Sequence, residues 1–274
     1  MSPLRRPPPT RRLRRPRRPT TLTTCWRASR GRSRPAAPAS ADAPKGLRDP
    51  LPFDLVIFDC DGVLIDSECL AAQVHADALI ALGYPTSPAQ VIRRFTGMPD
   101  REMYALIERE WGRSLPEGHD ERVKAALSAR YRSELRAIPH VHDAVDAIDR
   151  PTCVASSSAP EKLRLGLALT GLLDRFAPFI FSASQVRRGK PAPDLFLFAA
   201  EQMGAEPARC LVIEDSVAGV TGAVAAGMRV LGFAGGSHCG LDHERRLVDA
   251  GAEIVFDDMR RLPALVAERG ASDF

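Results

Sequence analysis

The chain lacks any apolar run near the ~20 residues that a membrane-spanning helix needs, which excludes an integral membrane protein. It lacks a C-x-x-C pair among its six cysteines, Cys25, Cys60, Cys69, Cys153, Cys210 and Cys239, which excludes a zinc ribbon and a thioredoxin-type site. Three of the six sit in or beside apolar runs and read as small buried hydrophobes, as suits a reducing, cytoplasmic compartment. No apolar core of roughly 7–15 residues stands near the N-terminus, which excludes a secretory signal. Lysine is scarce, four against 34 arginines, the mark of a GC-rich coding sequence.

What is present is globular in balance. The 274 residues are 45% apolar and 26% charged, enough to bury a core without disulfides, as one large domain or two small ones. The net charge of +4 conceals a split. Residues 1–50 carry 14 Lys and Arg against two acids, and residues 51–274 carry 24 against 32, so a basic tail precedes an acidic body. The tail also holds 10 of the 23 prolines. Its Pro7-Pro8-Pro9 and paired arginines leave no apolar face at either period, so 1–50 is expected to be a disordered Arg/Pro-rich tail. Three readings of it stay open: an inert extension, including one translated upstream of a true start; a targeting segment; or an arm that contacts nucleic-acid phosphates.

In the body, short apolar runs at Phe53–Phe58, Thr152–Ala155, Phe179–Phe181, Cys210–Ile213 and Arg229–Phe233 read as strands buried on both faces. Helical spacing over Glu161–Leu173, Asp194–Met203 and Ser216–Ala226 separates them, and the alternation predicts a doubly wound, Rossmann-like parallel α/β sheet. Between the first two strands lies a detour with helical patterns at Ala71–Leu82, Asp100–Trp111 and Asp120–Leu135. It is far longer than one crossover requires, so it reads as an inserted helical domain with Tyr104 and Trp111 in its core. The expected division is a tail at 1–50, an α/β core at 51–66 and 140–274, and a helical cap at 67–139. An insertion after the first strand covers the carboxyl ends of the sheet, where ligands bind in such folds.

Each strand is followed by chemistry. Asp59-Cys60-Asp61-Gly62-Val63 follows the first, Ser156-Ser157-Ser158 the second, Gly189-Lys190-Pro191 comes after the third, and Glu214-Asp215-Ser216 follows the fourth. Singly, each has an ordinary meaning: a solvated turn, a loop, or a helix N-cap at Ser216. Ser158 and Ser182 read as capping or loop residues, and His140 and His142 as surface residues. The spacing of His238, Cys239 and His243 fits no standard zinc site. Converging carboxylates repel unless a cation joins them, and an all-oxygen site of few ligands suits Mg²⁺.

Four such motifs in this order resemble the haloacid dehalogenase (HAD) superfamily, in its helical-cap branch of sugar phosphatases and β-phosphoglucomutases, over about residues 53–265. The resemblance implies an aspartyl-phosphate mechanism. Asp59 is the nucleophile, Asp61 the general acid and base, and Ser156, Ser157 and Lys190 hold the phosphoryl group. It further implies Mg²⁺ held by Asp59, the Asp61 carbonyl and Asp215, with Glu214 bound directly or through water. Asp61, Glu214 and Asp215 together set dehalogenation aside. Mutases of this branch carry a His on the first insertion helix and a Lys in the cap loop; the matching positions here are Ala71 and Thr96. Both departures favour hydrolysis of a small phosphorylated metabolite over phosphoryl transfer between sugars. Arg101, and Arg93 and Arg94 beside it in the cap, could meet a substrate carboxylate or second phosphate, or could simply form a solvated cap surface. A monomer is expected, with no membrane partner and with nucleic acid reached only through the tail.

Overall fold

The structure is a computed structural model and describes residues 53–268. The tail at 1–50, with its expected disorder and its three readings, lies outside the described residues. The chain runs β1 (Leu55–Phe58), α1 (Glu68–Ala81), α2 (Pro88–Phe95), α3 (Asp100–Trp111), α4 (His119–Glu134), α5 (Val141–Asp146), β2 (Thr152–Ser156), α6 (Pro160–Leu169), α7 (Leu173–Phe176), β3 (Ile180–Ser182), α8 (Asp194–Met203), β4 (Cys210–Glu214), α9 (Val217–Ala225), β5 (Arg229–Phe233), α10 (His243–Asp249), β6 (Ile254–Phe256) and α11 (Leu262–Glu268). Among the described residues no helix is long and apolar enough to cross a membrane.

All six strands form one parallel sheet in the order β3-β2-β1-β4-β5-β6. The fold is α/β and doubly wound. The period-two geometry of a strand explains why: Val56 and Phe58 belong to one apolar cluster, Leu55 and Ile57 to the other. Helices α5, α6, α7 and α11 feed the first cluster and α8, α9 and α10 the second, so each sheet face is covered. The chain winds outward from β1 in one direction through β2 and β3, then returns to the other side of β1 for β4. That reversal brings the carboxyl ends of β1, β2 and β4 together.

Five helices separate β1 from β2, and four of them, α1 to α4 rather than the expected three, fall within residues 67–139. Helix α2 carries a start signal, with Pro88 in its first turn and the Ser87 hydroxyl accepting from Gln90 N, but it buries only Val91 and Phe95. The insertion has an apolar cluster of its own, including Ala76, Leu79, Tyr84, Phe95, Tyr104 and Ile107, with Trp111 packed against it. The opposite sides of α1 and α4, through Val74, Val123, Leu127 and Tyr131, join the cluster on the sheet. The expected single helix over Glu161–Leu173 is two. Thr170 Oγ1 donates back to Gly166 O, Gly171 turns with φ +73°, and α7 starts afresh. Its Phe176 is fully buried and meets Phe58 edge-on at 5.7 Å. Phe176→Ala is expected to destabilise the protein by about 3–5 kcal/mol, read by urea unfolding; a cost below about 1 kcal/mol contradicts this packing.

Candidate active site

The chain turns sharply after β1. Leu64 N and Ile65 N both donate to Cys60 O, and Gly62 N donates to Ile65 O. Gly62 sits at φ +82°, and a Cβ there would lie 1.8 Å from Asp215 Oδ2, so both backbone conformation and space demand glycine. The turn sets Asp59 and Asp61 at the floor of a cavity of about 750 Å³ whose walls come from sheet loops and the helical insertion.

Lys190 reaches the same floor from the loop after β3. Its Nζ lies 2.6 Å from Asp59 Oδ1 and 2.5 Å from Glu214 Oε1, with the side chain buried. Glu214 is fully buried. Its Oε2 accepts from Ser216 N at 2.7 Å and Ser216 Oγ at 3.0 Å, and a Cβ at Gly219 would fall 1.7 Å from Oε1. Glu214 is expected to hold the metal directly or through water, and here both of its carboxylate oxygens have protein partners. Its carboxylate is turned to Lys190 and the start of α9, where the Ser216 hydroxyl also caps Gly219 N. Asp215, the next residue, points the other way and lines the cavity. Asp215 Oδ2 is buried and ion-paired with His238 Nε2 at 3.0 Å; burial lowers the His238 imidazole, but Asp215 and Cys239 more than offset this and push it up to about 11.

Asp61 is clamped. Ser67 Oγ donates to its Oδ1 and Ser158 Oγ to its Oδ2, each at 2.6 Å, and Lys162 Nζ stands 3.3 Å from Oδ1. Burial alone would raise the Asp61 carboxyl, but the Lys162 ammonium and the two hydroxyls more than offset it and hold it below the ordinary range. Asp59 goes the other way. Burial pushes it well up against the pull of Lys190, and Glu214, Asp215 and Asp61 add their repulsion. A divalent cation between Asp59 and Asp215 would relieve that repulsion. These residues therefore fit Mg²⁺.

Ser156 lies on the floor with its Oγ accepting from Ser158 N at 3.2 Å. Ser157, expected to help hold the phosphoryl group, lines the cavity with its hydroxyl donated to Gly97 O of the insertion at 3.1 Å. Ser158, expected to cap or fill a loop, is instead a partner of Asp61. Ser182 does cap, accepting from Ser184 N. Arg101 lines the cavity, whereas Arg94 is exposed and paired with Glu110 at 2.6 Å, and Arg93 is exposed outside the lining. Sequence reasoning missed Ser67, Lys162, Lys124, Arg187 and His75, all but Ser67 in the lining. Ala71 and Thr96 stand in the walls, and one turn beyond Ala71 on α1, His75 Nδ1 meets the Tyr104 hydroxyl at 3.2 Å. His238, Cys239 and His243 are brought together, one ligand atom of each lying within 4.8 Å of the others.

Glu68, in the first turn of α1, also lines the cavity. Burial, with Asp61 adding repulsion against the pull of Lys162, pushes its carboxyl up to about 7 from 4.5. A carboxyl raised in the folded state keeps a proton that the unfolded chain has released, so stability falls as pH climbs from about 4.5 to about 7. Glu68→Gln in EDTA is expected to match the parent below pH about 4.5. It should exceed the parent by about 1–3 kcal/mol above pH about 7, after discounting for partial exposure, by urea unfolding across pH. Parallel pH curves would contradict this.

The model for "haloacid dehalogenase-like hydrolase" matches residues 53–227. The chain belongs to this family of hydrolases. It is 32% identical over 219 residues to a 6-phosphogluconate phosphatase of Escherichia coli, covering 80% of this chain and 96% of the relative. Among solved structures, a haloacid dehalogenase-like protein of Agrobacterium tumefaciens superposes with TM-score 0.70 at 43% identity, over 79% of this chain and 98% of that one. A HAD family hydrolase of Deinococcus radiodurans, with bound phosphate and sodium, superposes with TM-score 0.66 at 33% identity, over 81% and 98%.

Proposed function

We propose that this haloacid dehalogenase-like hydrolase is a Mg²⁺-dependent phosphatase of small phosphorylated sugars or sugar acids, working through an aspartyl-phosphate on Asp59. One observation carries the reading: Asp59 and Asp61 leave β1 two residues apart on the cavity floor, the first paired to Lys190 and the second clamped by hydroxyls and Lys162. The similarity to a 6-phosphogluconate phosphatase supports the substrate class.

An Asp59 oxygen attacks phosphorus as the bond from phosphorus to the ester oxygen breaks. Asp61 gives its proton to that oxygen and the alcohol leaves. In the free site Lys162, Ser67 and Ser158 keep Asp61 ionised; the incoming phosphoryl dianion raises its affinity for a proton by charge repulsion and so loads the acid. Asp61 then takes a proton from water as the water oxygen attacks phosphorus, the bond to Asp59 breaks, and phosphate leaves. Lys190 neutralises Asp59 and the phosphoryl oxygens, and Ser156 donates to one of them. Asp59, the Asp61 carbonyl and Asp215 would hold Mg²⁺, which neutralises phosphoryl charge when bound. The helical insertion closes over the substrate as a cap, with Arg101 at its rim.

Transfer between sugars is the second reading. Ala71 and Thr96, in the cavity walls, offer neither the imidazole nor the ammonium of the mutases, and this favours water as acceptor. Phosphate release from a panel of sugar and sugar-acid phosphates is expected with Mg²⁺, and a fall of at least about 100-fold is expected in EDTA. Unchanged release in EDTA contradicts the metal. Glucose 6-phosphate formed from β-glucose 1-phosphate without free phosphate contradicts the hydrolase.

A further inference from the structure

The loop between β5 and α10 holds three groups that the phosphatase reading does not use: His238, Cys239 and His243. The loop is fixed by hydrogen bonds at both ends. Ser237 N and Oγ donate to Asp66 Oδ1 at 3.1 and 2.7 Å, Cys239 N donates to Gly236 O, and His243 N donates to Gly240 O. Gly236 lets the backbone pass close to the His238 ring, since a Cβ there would meet its Cε1 at 2.7 Å. Within this frame one ligand atom of each residue lies within 4.8 Å of the others.

The spacing of Cys239 and His238 suits two ligands of one metal ion. Cys239 Sγ stands 3.5 Å from His238 Nε2. With Zn–S near 2.3 Å and Zn–N of 2.0–2.1 Å, tetrahedral ligands lie about 3.5 Å apart. His243 Nε2 donates to the Asp215 carbonyl at 2.7 Å, which fixes the tautomer and leaves Nδ1 with its lone pair. A ring nitrogen tied to a backbone carbonyl is how protein matrices orient a metal-binding imidazole. The two rings stand nearly perpendicular, 5.3 Å apart. Asp215 Oδ2 is ion-paired with His238 Nε2 at 3.0 Å, which ties the cluster to the end of β4. His238 is enclosed, while Cys239 is partly exposed and gives an ion its way in.

We propose that His238, Cys239 and His243 bind one borderline-soft divalent cation of the zinc class, with its fourth position open to water. Imidazole and thiolate select such an ion, while the oxygen ligands at Asp59 and Asp215 select Mg²⁺, so the two neighbouring sites take different metals. An ion here would pin the loop to the end of β4. The proposal concerns metal uptake, which is read without turnover and stands or falls separately from the phosphatase reading.

The full chain, reduced and stripped by a chelator that is then removed, is titrated with Co²⁺. The expected result is a thiolate-to-cobalt charge-transfer band with visible tetrahedral bands, saturating at one equivalent and abolished by one equivalent of Zn²⁺. Cys239→Ser should lose the charge-transfer band while keeping the parent circular dichroism, and His243→Asn should weaken cobalt binding by at least about tenfold. No charge-transfer band in the parent overturns the proposal. So does a band that survives in Cys239→Ser, because another thiol then carries it, or His243→Asn binding cobalt like the parent.

Discussion

Asp59→Asn is expected to fold as the parent does and to lose about 10⁴–10⁶-fold in turnover of every phosphomonoester the parent hydrolyses, as removal of a nucleophile does elsewhere. An amide cannot form the acyl phosphate. It also keeps the shape of the side chain and removes one of the charges crowded with Glu214, Asp215 and Asp61, so no loss of stability is expected. Steady-state phosphate release beside urea unfolding separates the two effects. Residual turnover within tenfold of the parent would place the nucleophile elsewhere.

Lys190→Met is the second large effect, and it is double. The substitution strands a fully buried Glu214 and a nearly buried Asp59 without their shared ammonium, and breaking such a pair costs about 3–5 kcal/mol. It also removes a positive charge aimed at the phosphoryl oxygens, a loss of about 10²–10³ in kcat. The two parts come apart in the double variant Lys190→Met with Glu214→Gln. Removing the stranded charge should restore a good share of the stability and none of the activity. If the double variant regains turnover, Lys190 matters only for the fold.

Much of this site was legible because the reactive residues fall just past short apolar runs. Strand ends of one parallel sheet are neighbours, so Asp59, Asp61, Ser156, Lys190 and Asp215 had to lie close once the sheet was read. The spacing of Asp59 and Asp61 also places them on one side of an extended chain. The same rule separates Glu214 from Asp215: Asp215 faces the cavity, and Glu214 turns to Lys190 and the start of α9.

Ser158 departs from its expected capping role for a related reason. Pro160 already occupies the first turn of α6 and has no N–H to be capped, so a serine two residues earlier was free for Asp61. Ser67 and Lys162 were not legible at all. Their contact with Asp61 depends on how α1 and α6 seat against the β1 turn, and nothing local in the sequence encodes that. Helix α2 and strand β6 escaped because each is short. Eight residues with two buried side chains, or three residues in a strand, carry too little periodicity. The grouping of His238, Cys239 and His243 depends on a loop held across the fold to Asp66, which no spacing rule anticipates.

The central claim is the covalent phosphoryl group on Asp59, and trapping it tests that claim most directly. The enzyme, quenched in acid during turnover of its best substrate and reduced with borohydride, is digested and sequenced by mass spectrometry. An acyl phosphate at position 59 is reduced to homoserine, and that conversion at Asp59 alone is the predicted result. An unmodified Asp59 under full turnover, or phosphate on any other residue, would contradict the account.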